Sequence, residues 1–451
     1  LDVDNERFEF VELMNVSATD TIDLKNSTFS AGIDFTFDQF TPLAPGERIL
    51  VVRDVAAFES RYGSGQAIAG VFENETGLSN SGETIKLDDA SGSTIVEFAY
   101  NDGGDWPARA DGPGSSLVVD ASVLAAPATD FNAGENWRAS TAFGGTPGTA
   151  AVDTTDVIVN EVLAHTNPPV SDAIELYNTS GATVDLSGWW LSDTWGDYFK
   201  YQFSAGRSLA PGDYLVLDED DFNPGGGSNP TDFALSAGGD DVWLLEPDTT
   251  GKPIRFASSV SFEATLSGIS LGRVPDGDPS YELFPLIEPS LGGPNGPHAP
   301  GGVVFSEIHY HPSPPPAGST ITELQLEFVE LYNRTGSTVD LSGWRVRGGV
   351  DWDLASGTIV AAGDVLVLVS FDPQETELAN EFRTIHQMSG EVPLVGPYSG
   401  LLKNGGETVR LLAPTSAPAG EPGPVYYLVD RVTYDDASPW PTSADGLGDA
   451  L

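Results

Sequence analysis

Three short patterns recur in the same order along the 451-residue chain, and that internal repeat limits the possible folds more than any single residue does. The first is an apolar run ending in Glu-Leu-x-Asn. It reads FEFVELMN at 8–15, AIELYN at 173–178 and LEFVELYN at 326–333. Its residue types favour strands, and the closing Asn suits a turn. The second is a turn feeding an uninterrupted apolar run: LAPGERILVV at 43–52, LAPGDYLVL at 209–217 and VAAGDVLVLV at 360–369. Such a run, bounded by turn residues, predicts a strand buried on both faces. The third is a Gly-containing turn opening a strand: LSNSGETIKLDD at 78–89, LSAGGDDVWLLEP at 235–247 and LLKNGGETVRLLAP at 401–414. In the last copy Val409 and Leu411 flank Arg410, the period-2 pattern of a strand with one solvated face.

Further matches extend the alignment. VDLSGWWLSD at 184–193 pairs with VDLSGWRVRG at 339–348, and TDVIVNEVLAH at 155–165 with GVVFSEIHYH at 302–311. DWPARADGPGSSL at 105–117 pairs with PWPTSADGLGDAL at 439–451. Helical periodicity is confined to Val55–Tyr62 and to 375–382, both directly after the buried strand. Many short strands with regular turns predict an all-β chain of tandem sandwiches. Repeat boundaries fall at 1–150, 151–298 and 299–451, with Gly- and Pro-rich junctions that read as short and stiff.

An Asn-Glu strand, then Glu-Leu-Tyr-Asn, then Val-Asp-Leu-Ser-Gly-Trp, then a buried strand and Gly-x-x-Val-x-Leu-Leu resembles the lamin-tail domain. The resemblance implies three tandem immunoglobulin-like β-sandwiches and supplies no catalytic residue. The third repeat, with EIHYHP, GPYSGLLKNGGETVRL and PWPTSADG, is most similar to the bacterial version. Such modules occur in large secreted or surface proteins, often beside spore-coat-type kinase domains, and abound in planctomycete-like bacteria. The likeness is looser in the first repeat, where IDLKNSTFSAG at 22–32 replaces the Leu-Ser-Gly-Trp run. That repeat starts directly at the second strand. The third stops at Leu451, short of the tail that follows in the first. Two expectations follow: a window cut from a longer array, or ends completed by strand exchange, which would build a filament.

Composition narrows the partners. Lys+Arg 20 against Asp+Glu 67 leaves a net charge of −47, which repels nucleic acid and anionic membranes. There are no cysteines, so disulfides and thiolate chemistry are excluded. No run approaches the ~20 apolar residues of a membrane helix. An extracellular or cell-surface protein is expected.

Candidate chemistry is sparse. Ca²⁺ requires oxygen-rich loops, and the densest is Asp218, Glu219, Asp220 and Asp221. Asp102 with Asp105, Asp240 with Asp241, Asp276 with Asp278, and Asp435 with Asp436 are smaller acidic pairs. Trp190, Trp195 and Tyr198 form a candidate stacking platform for a glycan, or else a contact with a neighbouring domain. Glu161 and Glu175 match Glu307 and Glu330 as paired carboxylates. Their simpler use is to accept backbone N–H bonds from a loop, or to pair with Arg273. His309 and His311, two apart on one strand, could hold a metal or could line a seam. The sequons at Asn15, Asn178 and Asn333 close the Glu-Leu-x-Asn strand and read as turn-forming asparagines rather than glycan sites. A structural or adhesive array that binds its own kind is therefore expected, with a polysaccharide-binding region of a larger secreted enzyme as the alternative.

Overall fold

The computed structural model describes residues 5–103, 106–112, 114–121, 123–124, 131–150, 156–279, 282–417 and 423–451. Strands dominate, and the α-helices are short: α1 is Val55–Tyr62, α2 is Glu219–Phe222 and α3 is Thr376–Ile385. The chain gathers into two compact units. One comprises Leu1–Val157, Val184–Ser208 and Trp243–Ser259; the other comprises Ile158–Thr183, Leu209–Val242 and Val260–Leu451.

The recurrent sequence patterns become one recurrent strand pair. Phe10–Met14 lies antiparallel to Arg48–Val52 with Glu12 opposite Leu50. Ala173–Asn178 lies against Tyr214–Asp218 with Glu175 opposite Val216. Phe328–Asn333 lies against Val365–Val369 with Glu330 opposite Val367.

In the first unit, the sheet Phe10–Met14, Arg48–Val52, Ile68–Val71 complements a four-stranded sheet of Phe35–Thr36, Thr28–Ala31, Glu83–Asp88 and Thr94–Tyr100. Ile49 and Val51 join Phe29, Ile33, Phe37 and Leu87 in one core. Leu50 and Val52 point the other way, into a smaller core with Phe58 of α1. The strand is therefore buried on both faces, as its unbroken apolar run predicts. Asp54 caps α1 by accepting from the Ala57 N–H at 2.9 Å.

The second unit repeats this logic. Its four-stranded sheet runs Val303–His309, Phe328–Asn333, Val365–Val369, Leu394–Val395. Leu366 and Leu368 enter a core with Val409, Leu411 and Tyr434. Val367 and Val369 enter another with Ala379 and Phe382 of α3. Fully burying a side chain like Phe382 is worth roughly 1.5–3 kcal/mol. The unit also holds the sheet Tyr214–Asp218, Ala173–Asn178, Val157–Leu163, Leu271–Arg273, Leu283–Pro285. Here the two-face expectation is met only in part. Leu217 is buried, but Tyr214, Leu215 and Val216 are half-buried. The covering helix α2 has four residues and buries only Phe222.

Candidate functional site

The densest buried polar cluster lies in the second unit. All seven residues of Val157–Leu163 are buried, and Asn160, Glu161 and Glu175 are each 0% exposed. Burying carboxylates is costly unless every oxygen finds a donor, and here donors converge. Asn160 Nδ2 donates to Glu175 Oε1 and to Asp276 Oδ1, both at 2.9 Å. Tyr214 donates its hydroxyl to Asp276 Oδ2 at 2.6 Å.

The remaining donors come from residues 290–296. Ser290 gives its backbone N–H and its hydroxyl to the two Glu161 oxygens, each at 2.9 Å. The Gly292 N–H reaches Glu175 Oε2 at 2.6 Å. The Asn295 N–H meets Asp276 at 3.0 Å, and its amide donates to the carbonyls of Asn160 and Arg273. Gly292 holds φ +89°, a left-handed conformation that aims its N–H at the carboxylate and favours glycine. Buried Arg273 donates to the Val159 carbonyl at 2.8 Å and to that of Pro279 at 3.2 Å. Burial lowers its guanidinium pKa to about 10.

Chemically this is a latch. Burial pushes the Glu175 carboxyl up to about 7, a value that would suit a general acid. An acid must reach its substrate, however, and both Glu175 oxygens are engaged by Asn160 and Gly292 in a fully buried position. The loop-binding use of the paired carboxylates is what the geometry presents.

The equivalent acids differ in occupancy. Glu12 accepts from Arg48 at 3.0 Å and from the N–H of Gly148 at 2.5 Å. Gly148 is also left-handed, with φ +82°. Glu307 and Glu330 sit directly opposite one another in the ladder. Ser306 donates its hydroxyl to Glu330 at 2.8 Å, and burial together with the Glu330 charge raises Glu307.

A second tie escaped sequence reasoning. Glu9 accepts the Leu78 N–H at 3.0 Å, and Glu327 accepts the Leu402 N–H at 3.1 Å. Each acid stands three residues before the shared Glu, in FEFVE and LEFVE, and each fastens its strand to the start of the third pattern. The repeated acid was the available signal. Burial pushes Glu327 up to about 7.

Two members of the acidic run 218–221 cap α2. Asp218 accepts from the Asp220 N–H at 3.0 Å, and Asp221 accepts from the Asp218 N–H at 3.2 Å. Glu219 takes the amide of Asn223. Asp240 accepts from the Ser236 N–H at 2.8 Å. Asp105 lies outside the described residues. Among the described residues no group of three or more His, Cys, Asp or Glu converges as a metal site would need.

The aromatic candidates meet around Trp243. Tyr198 is 2% exposed and packs on Trp243 and Phe256. Trp195 is 43% exposed and stands edge-on to Trp243 at 5.4 Å. Trp190 is half-buried against Phe199. His309 is buried against Phe328 and His386, whereas His311 bonds Asp445 at 2.5 Å.

Each compact unit also contains a strand-like junction between successive repeats. In the first, the Phe143 N–H donates to the Ile254 carbonyl at 2.8 Å and the Phe256 N–H to the Thr141 carbonyl at 2.7 Å. Arg109 lies 4.5 Å over the Phe256 ring and donates to Ser259 at 3.0 Å. In the second, the Ala264 N–H donates to the Tyr426 carbonyl at 3.1 Å, and Arg431 pairs with Glu282 while covering Phe284 at 4.1 Å.

A family model described as Lamin Tail Domain matches residues 150–259 and 296–435, more than half of the chain. A search of curated proteins returned no match. Among solved structures, the chain is similar to a DUF4876 family protein from Bacteroides thetaiotaomicron VPI-5482. Identity is 10%, coverage is 62% of this chain and 78% of that one, and the TM-score is 0.22.

Proposed function

The chain belongs to the lamin tail domain family, and from that premise we propose that it is a non-catalytic structural module of the bacterial cell exterior. It holds neighbouring modules at fixed separation and associates with others of its kind, as a surface-layer or filament component. The observation that carries this reading is the pairing of 141–143 with 254–256, strengthened by Arg109 stacked on Phe256. Backbone pairing between successive repeats resists bending in a way that a Gly-Pro linker does not. The charge of −47 suits a soluble exterior surface whose self-repulsion is relieved by salt.

Negative-stain electron microscopy with analytical ultracentrifugation tests this. Association that increases as ionic strength rises is expected. A chain that stays monomeric at every salt concentration would overturn it. A second reading, a glycan-binding region, draws on the exposed Trp195 ring. Its test is a glycan array in which Trp195→Ala loses whatever signal the parent shows.

A further inference from the structure

The sequence pairs His309 with His311, but the structure sets His309 against His386. His309 ends the strand Val303–His309, and His386 follows the last residue of α3. Their ring centroids are 5.2 Å apart, with the planes at 82°. Phe328 packs on both rings and Phe382 on His386. His309 is 5% exposed, and among the described residues neither of its ring nitrogens has a hydrogen-bond partner. His386 Nε2 is likewise buried and unpartnered. The Leu326 carbonyl acts on both imidazoles, yet it stands outside hydrogen-bonding geometry to the His309 nitrogens. The carboxylate that acts on His309 is Asp449, through space and without a hydrogen bond. Buried polar atoms normally have partners, so three orphaned ring nitrogens in one apolar pocket point to a ligand.

We propose that His309 and His386 form a site for a soft, closed-shell monovalent metal ion, cuprous or silver. The separation of the rings suits one shared ion. A metal–nitrogen bond of about 2.0–2.1 Å puts each ring centroid about 3 Å from the ion, so two imidazoles on one ion stand up to about 6 Å apart. Burial keeps both rings neutral, and neutral imidazole is the form that binds metal. Two imidazoles are fewer groups than a calcium or structural zinc site uses, and they match an ion of low coordination number. Charge points the same way. With no carboxylate bonded to either ring, the cost of burying an ion rises steeply with its charge, which favours a monovalent over a divalent one. The ion has a route in, because His386 is half-buried and the next residue, Gln387, is exposed.

The site stands independently of the module reading above. Its test is silver nitrate titrated into the intact chain in chloride-free buffer at pH 7, followed by NMR of the histidine rings. The chain has no cysteine to compete for silver. One Ag⁺ per chain is expected, with the His309 and His386 signals moving together while those of His165, His298 and His311 stay in place. His309→Leu, which keeps the core apolar, and His386→Gln, at the half-buried position, should each weaken binding about tenfold or more. Either variant suffices if the other fails to fold. Absence of saturable binding, movement of the other histidines instead, or binding that survives both variants and is lost in Met388→Leu would overturn the proposal. Displacement of Ag⁺ from these rings by an equal concentration of Zn²⁺ would overturn it as well.

Discussion

The Asn178 side chain donates to the Leu209 carbonyl at 2.8 Å, tying the end of one strand to the turn that opens its partner. It also donates to the Ala182 carbonyl and accepts the Ser180 N–H. Asn15 and Asn333 make the same bonds, to Leu43 and Asp20 and to Val360 and Ser337. These sequon asparagines are 0–2% exposed, with both amide hydrogens in use. They serve as turn anchors.

Asn178→Ala should therefore cost about 2–4 kcal/mol, because two carbonyls and one N–H lose their partners in a dry site. Urea unfolding followed by tryptophan fluorescence measures it. A loss below ~0.5 kcal/mol would show that water replaces the amide.

Glu175 and Glu327 carry carboxyls raised to about 7 from an ordinary 4.5. A raised acid favours the folded state most when protonated. Its contribution is complete below about pH 4.5 and is lost as pH rises through 7. The stability of the parent chain relative to Glu175→Gln should thus shrink by about 2–3 kcal/mol between pH 5 and 8. Denaturant midpoints across that range give the answer, and a pH-independent difference would contradict the assignment.

His309 behaves with the opposite sign. Burial first, and then the nearby His386, lower its pKa to about 4, and burial also lowers His386. The folded state keeps both neutral, while an unfolded His takes up a proton near 6.5. Stability should fall as pH drops from 6.5 towards 4, and His309→Leu should flatten part of that slope. Proton NMR should show a neutral His309 ring at pH 5.5.

Asp218 and Asp221 form a capping box on α2. Millimolar CaCl₂ should raise the melting temperature no more than NaCl of equal ionic strength. Asp218→Ala should cost about 1 kcal/mol through the lost cap. A Ca²⁺-specific rise of several degrees, abolished by Asp218→Ala, would instead assign the run a binding role.

Strand identity was legible because burial imprints a local period. Val409 and Leu411 face a core while Arg410 is half-buried, and α1 forms at 55–62 where its short periodicity lay. The partners of the carboxylates were not legible. Ser290 and Gly292 lie in a stretch that reads as a linker, and they meet Glu161 and Glu175 across 129 and 117 residues. Hydrogen-bond donors on the backbone are common to nearly every residue, so no residue type announces them.

The repeat in the sequence thus determined the all-β fold, the shared strand pair and the turn asparagines, because each depends on neighbours within a few residues. Only the tertiary structure decided that Glu161 and Glu175 are latched by Ser290 and Gly292. Glu161 with Glu175 and Glu307 with Glu330 share one local pattern. The latch on Glu175 needs a glycine N–H delivered from 117 residues away, and chain topology sets that.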